Sequence, residues 1–304
     1  MKINSYTKEL GDDETIPIWF DKHFKLLFGD KNHLDRTKYL ISCVLNKEID
    51  EIEFIDNELI EDNRIDKINT VDLVARFDCE YVSIEANSSF GDIIKNRNLA
   101  FLFRIQSRQL KSGEDYTKLK KHYQINLNQE SFDDEPINVC HIRSDNSGKL
   151  YSNLFEIHNI NVKYFAEIAD KCYNKNVSEL SLREKLFALI GTNKKSVIDR
   201  ITQDNTILKE IGEMAKKYSG EKHLLNIYNR EELLKADMEH EFEKKQDLLK
   251  ADMEHEFEKK SAKKVSEAKK DNTIDIAKKM KKEKIDINLI SKVTNLSLED
   301  ISKL

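Results

Sequence analysis

Two carboxylates, Asp72 and Glu85, lie within residues 69–88 (NTVDLVARFDCEYVSIEANS), where apolar and polar residues alternate as two strands around a turn. With the turn centred between Asp78 and Cys79, Asp72 falls opposite Glu85 and Thr70 opposite Asn87. Strand side chains alternate, so these four share one face. The other face sets Leu73 against Ile84, Ala75 against Val82 and Val71 against Ala86. All six are apolar, which supports the register independently. Carboxylates so opposed, ~5 Å apart at Cβ, repel one another. A divalent cation between them would turn that repulsion into binding, and oxygen ligands suit Mg²⁺ or Mn²⁺. Such an ion lowers the pKa of a bound water and stabilises charge on a phosphate under attack. The same alternation also suits an amphipathic hairpin whose polar face meets solvent, so the pattern alone leaves both readings open.

The elements around the hairpin follow from periodicity. From Asp21, the spacing of Phe24, Leu27 and Phe28, then Leu40, Ile41, Val44 and Leu45, predicts two helices divided near residues 29–32. Residues 49–60 alternate as a strand. A helix is expected from about Gly91 to Leu110, before the stop signal Ser112-Gly113. Further strands are expected at 122–127, 137–143 and 153–159, with helices from Lys163 onward. The order α-β-β-α-β over the first ~170 residues implies an α/β fold, a mixed sheet flanked by helices. Residues 1–16 are polar and expected to be frayed.

Composition narrows the classes. Only 8 Gly and 2 Pro in 304 residues, with 35% charged side chains, favour long helices. A formal charge of −5 argues against general attraction to nucleic acid, while 51 Lys and Arg leave room for a local basic groove. Cys43, Cys79, Cys140 and Cys172 stand singly, as reduced thiols do, without the spacing of a zinc site or disulfide framework. No signal peptide opens the chain and no apolar run approaches ~18 residues, so a cytoplasmic protein with no membrane partner is expected.

The C-terminal region differs in kind. Residues 233–245 (LLKADMEHEFEKK) recur unchanged at 248–260. Fifteen residues over four turns is ~3.75 per turn, so a stripe kept in register would wind right-handed. Few apolar residues sit among dense, nearly balanced charge, which favours a solvated helical spacer at 231–272. Homo-oligomerisation through these helices is the other reading. A helical hairpin turned at Asn295 is expected at 273–304.

Several segments together resemble the Rpn family of recombination-promoting nucleases, transposase-like members of the PD-(D/E)XK superfamily. Asp21-Lys22-His23-Phe24-Lys25 with Phe28-Gly29 is similar to that family's opening helix. Val71-Asp72-Leu73 resembles its metal-binding strand, and Ile84-Glu85-Ala86-Asn87 its I-E-x-Q strand. Arg97 to Phe101 is similar to R-x-x-x-Y, Gly113 and Tyr116 to G-x-x-Y, and Thr294-Asn295-Leu296-Ser297 to T-G-L-S. The resemblance implies a restriction-endonuclease-like sheet domain at 17–170, a helical extension at 171–230 and an α-helical C-terminal region. It implies a Mg²⁺- or Mn²⁺-dependent DNA endonuclease acting in recombination or phage defence. Asp72 and Glu85 would be the metal ligands, with the Ala86 carbonyl as a third oxygen donor. Asn87 stands where this family places Gln and the wider superfamily Lys; it hydrogen-bonds but carries no charge. Asp21, Lys25, Lys95 and Arg97 are auxiliary or DNA-binding candidates, Lys95 as a source of migrated charge and Arg97 as a phosphate contact. Pattern alone also reads Asp21 as a helix N-cap or first-turn acid and Arg97 as a solubilising side chain. The resemblance further implies a short regulatory C-terminal product from an internal start, for which Met214, Met238 and Met253 are available. The departures at Asn87 and Phe101 keep a second function open, an inactive relative serving as a DNA- or protein-binding module.

Overall fold

A computed structural model describes residues 9–55, 71–88, 91–172 and 177–304. The two opening helices form where apolar spacing places them. Helix α1 (Asp21–Phe28) buries His23, Phe24, Leu27 and Phe28, and α2 (Leu34–Leu45) buries Leu40, Ile41 and Val44. Gly29 ends α1 with its N–H on the Lys25 carbonyl at 2.8 Å. A Cβ at residue 29 would lie 2.6 Å from that carbonyl oxygen and 3.0 Å from Leu73. Glycine is therefore what lets the end of α1 seat directly on the strand that begins after Asp72.

Strand β1 (Ile52–Phe54) pairs antiparallel with β2 (Leu73–Phe77), and β2 with β3 (Glu80–Asn87). The register sets Leu73 opposite Ile84 and Ala75 opposite Val82, as the alternation required. Asp78 and Cys79 form the turn with φ 43° and 67°. Two left-handed residues match the right-handed twist of the flanking strands. The Asp78 carboxylate fixes this turn by accepting the N–H groups of Asp50 and Glu51, both at 3.1 Å.

Helix α3 (Asp92–Ser107) then crosses over to β4 (His122–Asn128), which lies parallel to β3. Strands β5 (Ile137–Cys140) and β6 (Phe155–Asn161) complete a six-stranded mixed sheet of order β1-β2-β3-β4-β6-β5. Helices α4 (Val162–Lys171), α5 (Leu182–Gly191), α6 (Lys195–Ile201) and α7 (Thr206–Ser219) come next. One sheet face carries the main core: Leu73, Ala75, Val82, Ile84, Ile125 and Leu127 cluster with Phe24, Phe28, Leu40 and Phe165. The face under α3 has a small apolar cluster of Val71, Val74, Phe101 and Ile105, beside a row of buried amides.

Several expectations change. Val71 belongs to the α3-side cluster and not to the core face, because regular pairing begins only at Leu73. Residues 9–16 are not frayed: Thr15 N–H donates to the Asn193 carbonyl at 2.7 Å, and Ile16 is buried with Phe20 and Leu224. Among the described residues the strand expected at 49–60 covers 52–54; its residues 56–60, like Thr70, lie outside the described residues. The helical extension expected at 171–230 packs into the main core through Leu186, Phe187, Ile198 and Ile211.

The chain divides into two compact units, 1–231 and 232–304. The boundary falls within α8 (Lys222–Lys282), one uninterrupted helix that includes both copies of the repeat. In the second unit, α9 (Ile287–Thr294) and α10 (Leu298–Lys303) turn at Asn295 (φ 57°) and bury Ile290 and Ile301 against Ala277. Lys281 Nζ donates to the Ile301 and Ser302 carbonyls, both at 2.9 Å, complementing the end of α10. Among the described residues no helix is long and apolar enough to cross a membrane.

Candidate active site

The site grows from the two ends of the hairpin. Just before β2, Asp72 donates its N–H to Glu85 Oε1 at 3.2 Å, and Ala86 on β3 donates its N–H to Asp72 Oδ2 at 2.9 Å. Each carboxylate thus holds a backbone group of the opposite strand, which locks the pair on one face. Their outer oxygens meet cations. Lys25 Nζ on α1 lies 3.1 Å from Asp72 Oδ1, and Arg97 on α3 lies 3.1 Å from Glu85 Oε2. Lys25 also pairs with Asp21 at 2.6 Å. Glu85 forms the floor at 2% exposure and Asp72 sits at 10%, whereas Lys25, Arg97 and Asp21 are about one-third exposed. A ligand must therefore approach past Lys25 and Arg97.

The electrostatics follow from this burial. Loss of water pushes Glu85 up to about 8, with the Asp72 charge adding to the effect and Arg97 opposing it. Asp72 rises to about 6 through burial and a hydrogen bond shared with Asp21. At Asp21 burial is outweighed by hydrogen bonds to Asp72 and Lys25, and its carboxyl stays below the usual range. Burial likewise opposes charge on Lys25, yet the Asp72 charge and the Asp21 partner keep it raised. Two buried carboxyls are thus held toward their protonated forms chiefly by loss of water, which Lys25 and Arg97 offset only in part.

Asn87 is positioned differently from a solvent-facing amide. Its Nδ2 donates to Asn128 Oδ1 at 3.0 Å, and its Oδ1 accepts from Arg97 at 2.7 Å. The cation beside the carboxylates is therefore supplied by α3. Among the two α3 candidates, Arg97 reaches Glu85. Lys95 instead contacts Asp92 at 3.3 Å and stands 5.7 Å over the Phe132 ring. Phe101 packs under Arg97, ring centroid 5.9 Å from the guanidinium carbon. The structure thus brings Asp21, Lys25, Asp72, Glu85, Ala86, Asn87 and Arg97 together and leaves Lys95 toward β4 and β6.

Sequence reasoning missed the amides behind these groups. Asn98 donates to Asn126 Oδ1 at 2.9 Å, Gln124 to the same oxygen at 3.0 Å, and Asn126 to Asn159 at 2.8 Å. The row begins at Ser83, bonded to His122 at 2.9 Å and to Gln124 at 2.6 Å. His122 is wholly buried, and its pKa is pushed down to about 3 by loss of water. The polar alternation of His122, Gln124, Asn126 and Asn128 was visible in the sequence; that all seven residues of β4 are buried was not.

The PD-(D/E)XK nuclease family transposases match residues 19–245, from the opening of α1 into α8. The chain belongs to this family. No curated protein and no solved structure matches it. The match covers the sheet, the hairpin carboxylates and α3, so Asp72, Glu85, Asn87 and Arg97 all lie within the nuclease-family region.

The donor set fits a hard divalent cation. Among the described residues no group of three or more His, Cys, Asp or Glu side chains is arranged to hold an ion. Mg²⁺, however, is commonly held by one or two carboxylates, its other positions filled by water and phosphate oxygens. Two buried carboxylates short of positive charge meet that requirement.

Proposed function

We propose that this chain is a divalent-cation-dependent DNA endonuclease that hydrolyses phosphodiester bonds at the Asp72–Glu85 site. The observation that supports it most is the buried carboxylate pair, each member bonded to the other strand's backbone and undercompensated in charge. Asp72 and Glu85 would hold Mg²⁺ or Mn²⁺, with the Ala86 carbonyl as a further oxygen donor. When bound, the ion would lower the pKa of a water and stabilise charge on the phosphate. Arg97 and Lys25, at the open side, bind and orient the phosphate oxygens, and Asn87 holds Arg97 in place. Asp21 fixes Lys25 through their 2.6 Å ion pair. Family resemblance supports roles in recombination or phage defence, and a C-terminal product from an internal start as regulator. It also leaves the second unit free to join chains.

A specific observation favours a second reading. Lys25 and Arg97 already contact the outer carboxylate oxygens, so the carboxylates have cationic partners without an ion, as a module that binds DNA without cutting it would need. Incubating purified protein with supercoiled plasmid, in Mg²⁺, Mn²⁺ or EDTA, separates the two. Nicked or linear product in either metal and none in EDTA supports the nuclease. Gel retardation equal in all three, with no cutting, supports the binding module.

A further inference from the structure

Arg97 is held at three acceptors: Asn87 Oδ1 at 2.7 Å, Glu85 Oε2 at 3.1 Å and Asn98 Oδ1 at 3.5 Å. Two of these are amide oxygens, and an amide can turn either end toward a neighbour. What fixes their orientation lies one layer further in. Asn87 Nδ2 donates to Asn128 Oδ1 at 3.0 Å, and Asn98 Nδ2 donates to Asn126 Oδ1 at 2.9 Å. With their NH₂ ends bound to β4, both amides present oxygen to the guanidinium. Turned over, each would set N–H groups against a cation.

The four asparagines are buried, at 0–3% exposure. Burying amides is unfavourable unless they are bonded, and apolar residues would fill the same space between α3 and the sheet. Asn128 makes the point most sharply. Its Nδ2 is buried without a hydrogen-bond partner, so its oxygen is the part that Asn87 uses. Asn126 is satisfied at both ends, its Nδ2 donating to Asn159 and its Oδ1 accepting from Asn98 and Gln124.

We propose that Asn126 and Asn128 are positioning residues: through Asn98 and Asn87 they aim Arg97 at the floor carboxylate and at the phosphate that enters beside it. This rests on the nuclease reading of the same site. Removing either acceptor frees one amide to turn and loosens Arg97, while Lys25 and the carboxylates stay in place.

The test uses the full-length protein and two readouts. The first is the exchange of the Arg97 guanidinium protons by NMR in metal-free protein, Nε–H for the Asn98–Asn126 arm and Nη2–H for the Asn87–Asn128 arm, assigned with Arg97→Lys. Asn126→Ala and Asn128→Ala should each speed exchange by up to about tenfold. Asn128→Asp keeps the accepting oxygen and, where the protein folds with this buried acid neutral, should stay closer to wild type than Asn128→Ala. The second is plasmid cleavage. Each Ala variant should lower kcat by about 10–100-fold with KM for DNA unchanged. In an Arg97→Ala background neither should lower it further.

Unchanged Arg97 exchange in both Ala variants would overturn the proposal, as would an equal loss of kcat with and without Arg97. Should Asn126→Ala fail to fold, Asn128→Ala and Asn128→Asp carry the comparison alone. Absence of cutting by wild type would sink the nuclease reading and leave the exchange measurement to decide the positioning role.

Discussion

The two faces of the central sheet obey different rules. One is packed with Leu73, Ala75, Val82, Ile84, Ile125 and Leu127 against helical phenylalanines and leucines. The other buries Glu85, Asn87, Gln124, Asn126 and Asn128 beneath α3. The strands are shared, so every second residue of β3 and β4 serves stability and every other one holds polar groups out of water. Such groups cost free energy unless paired, and here the pairing leaves Glu85 and Asp72 short of positive charge. The difference is why we place the proposed chemistry on the α3 face: the apolar face makes the fold, and a substrate and an ion would have something to gain only on the other.

Exchanging the consequences of mutation between the faces would break this comparison most directly. We expect Asp72→Ala or Glu85→Ala to reduce plasmid cutting by on the order of 10³-fold or more, with the melting temperature not lowered. Cutting that survives in both variants at saturating Mg²⁺ would refute the carboxylate site. On the opposite face, Phe24→Ala should cost about 3–5 kcal/mol of stability by denaturant titration, since its ring is fully buried. Where that variant remains folded, its kcat should stay close to wild type.

Asn87→Lys sharpens the comparison at a single position. The resemblance implies lysine at this position in the wider superfamily, yet the amide oxygen of Asn87 accepts from Arg97 at 2.7 Å. A second cation would displace that guanidinium, so kcat should fall by about 10–100-fold. Increased cutting would show that the amide, and not the arrangement around it, limits the rate.

The raised carboxyl of Glu85 gives a smaller, signed effect on stability. A group whose pKa is raised by folding stabilises below its unfolded value and loses that contribution as pH climbs through the folded value, here about 8. Metal-free protein should therefore lose stability progressively from about pH 4.5 and level off above about 8, with about 1 kcal/mol of that loss falling between pH 7 and 8. His23 and His122, pushed down to about 4 and about 3, are largely neutral between about pH 7 and 8, folded or unfolded. Glu85→Gln should flatten the loss, and an equal slope in wild type and variant would contradict the assignment.

How much of this was legible in the sequence depended on how local the determinant was. The hairpin register needed only the alternation of the flanking residues and the turn that Asp78 and Cys79 supply. The helices of the opening segment and the turn at Asn295 were equally local. What alternation could not show is that β4 is covered on both faces, which turns ordinary polar strand residues into a buried network. Nor could it show that the α3 crossover brings Arg97, twelve residues beyond Glu85, back over that carboxylate while Lys95 goes elsewhere. Residues 9–16 read as frayed because their anchor, Asn193, lies far along the chain.

The smallest expected effect comes from the second unit. Leu234, Met238 and Phe242, like Leu249, Met253 and Phe257, are more than half exposed along a continuous helix. Deleting one 15-residue copy shortens it by ~22 Å and rotates the C-terminal hairpin about the helix axis by about 60°. We expect cutting and the mass by light scattering to remain unchanged. A shift of mass toward monomer would show that the repeat joins chains.

Calorimetric titration of Mn²⁺ into metal-free protein, near pH 7 in two buffers of different ionisation enthalpy, addresses the carboxylate site itself. Burial pushes the Glu85 carboxyl up toward its protonated form, so an ion entering there near pH 7 is expected to displace a proton. We expect saturable binding in wild type, with proton release seen as a buffer-dependent heat, and no such binding in Asp72→Ala or Glu85→Gln. Binding of equal strength in both variants, or none in wild type, would contradict a cation site between the two strands.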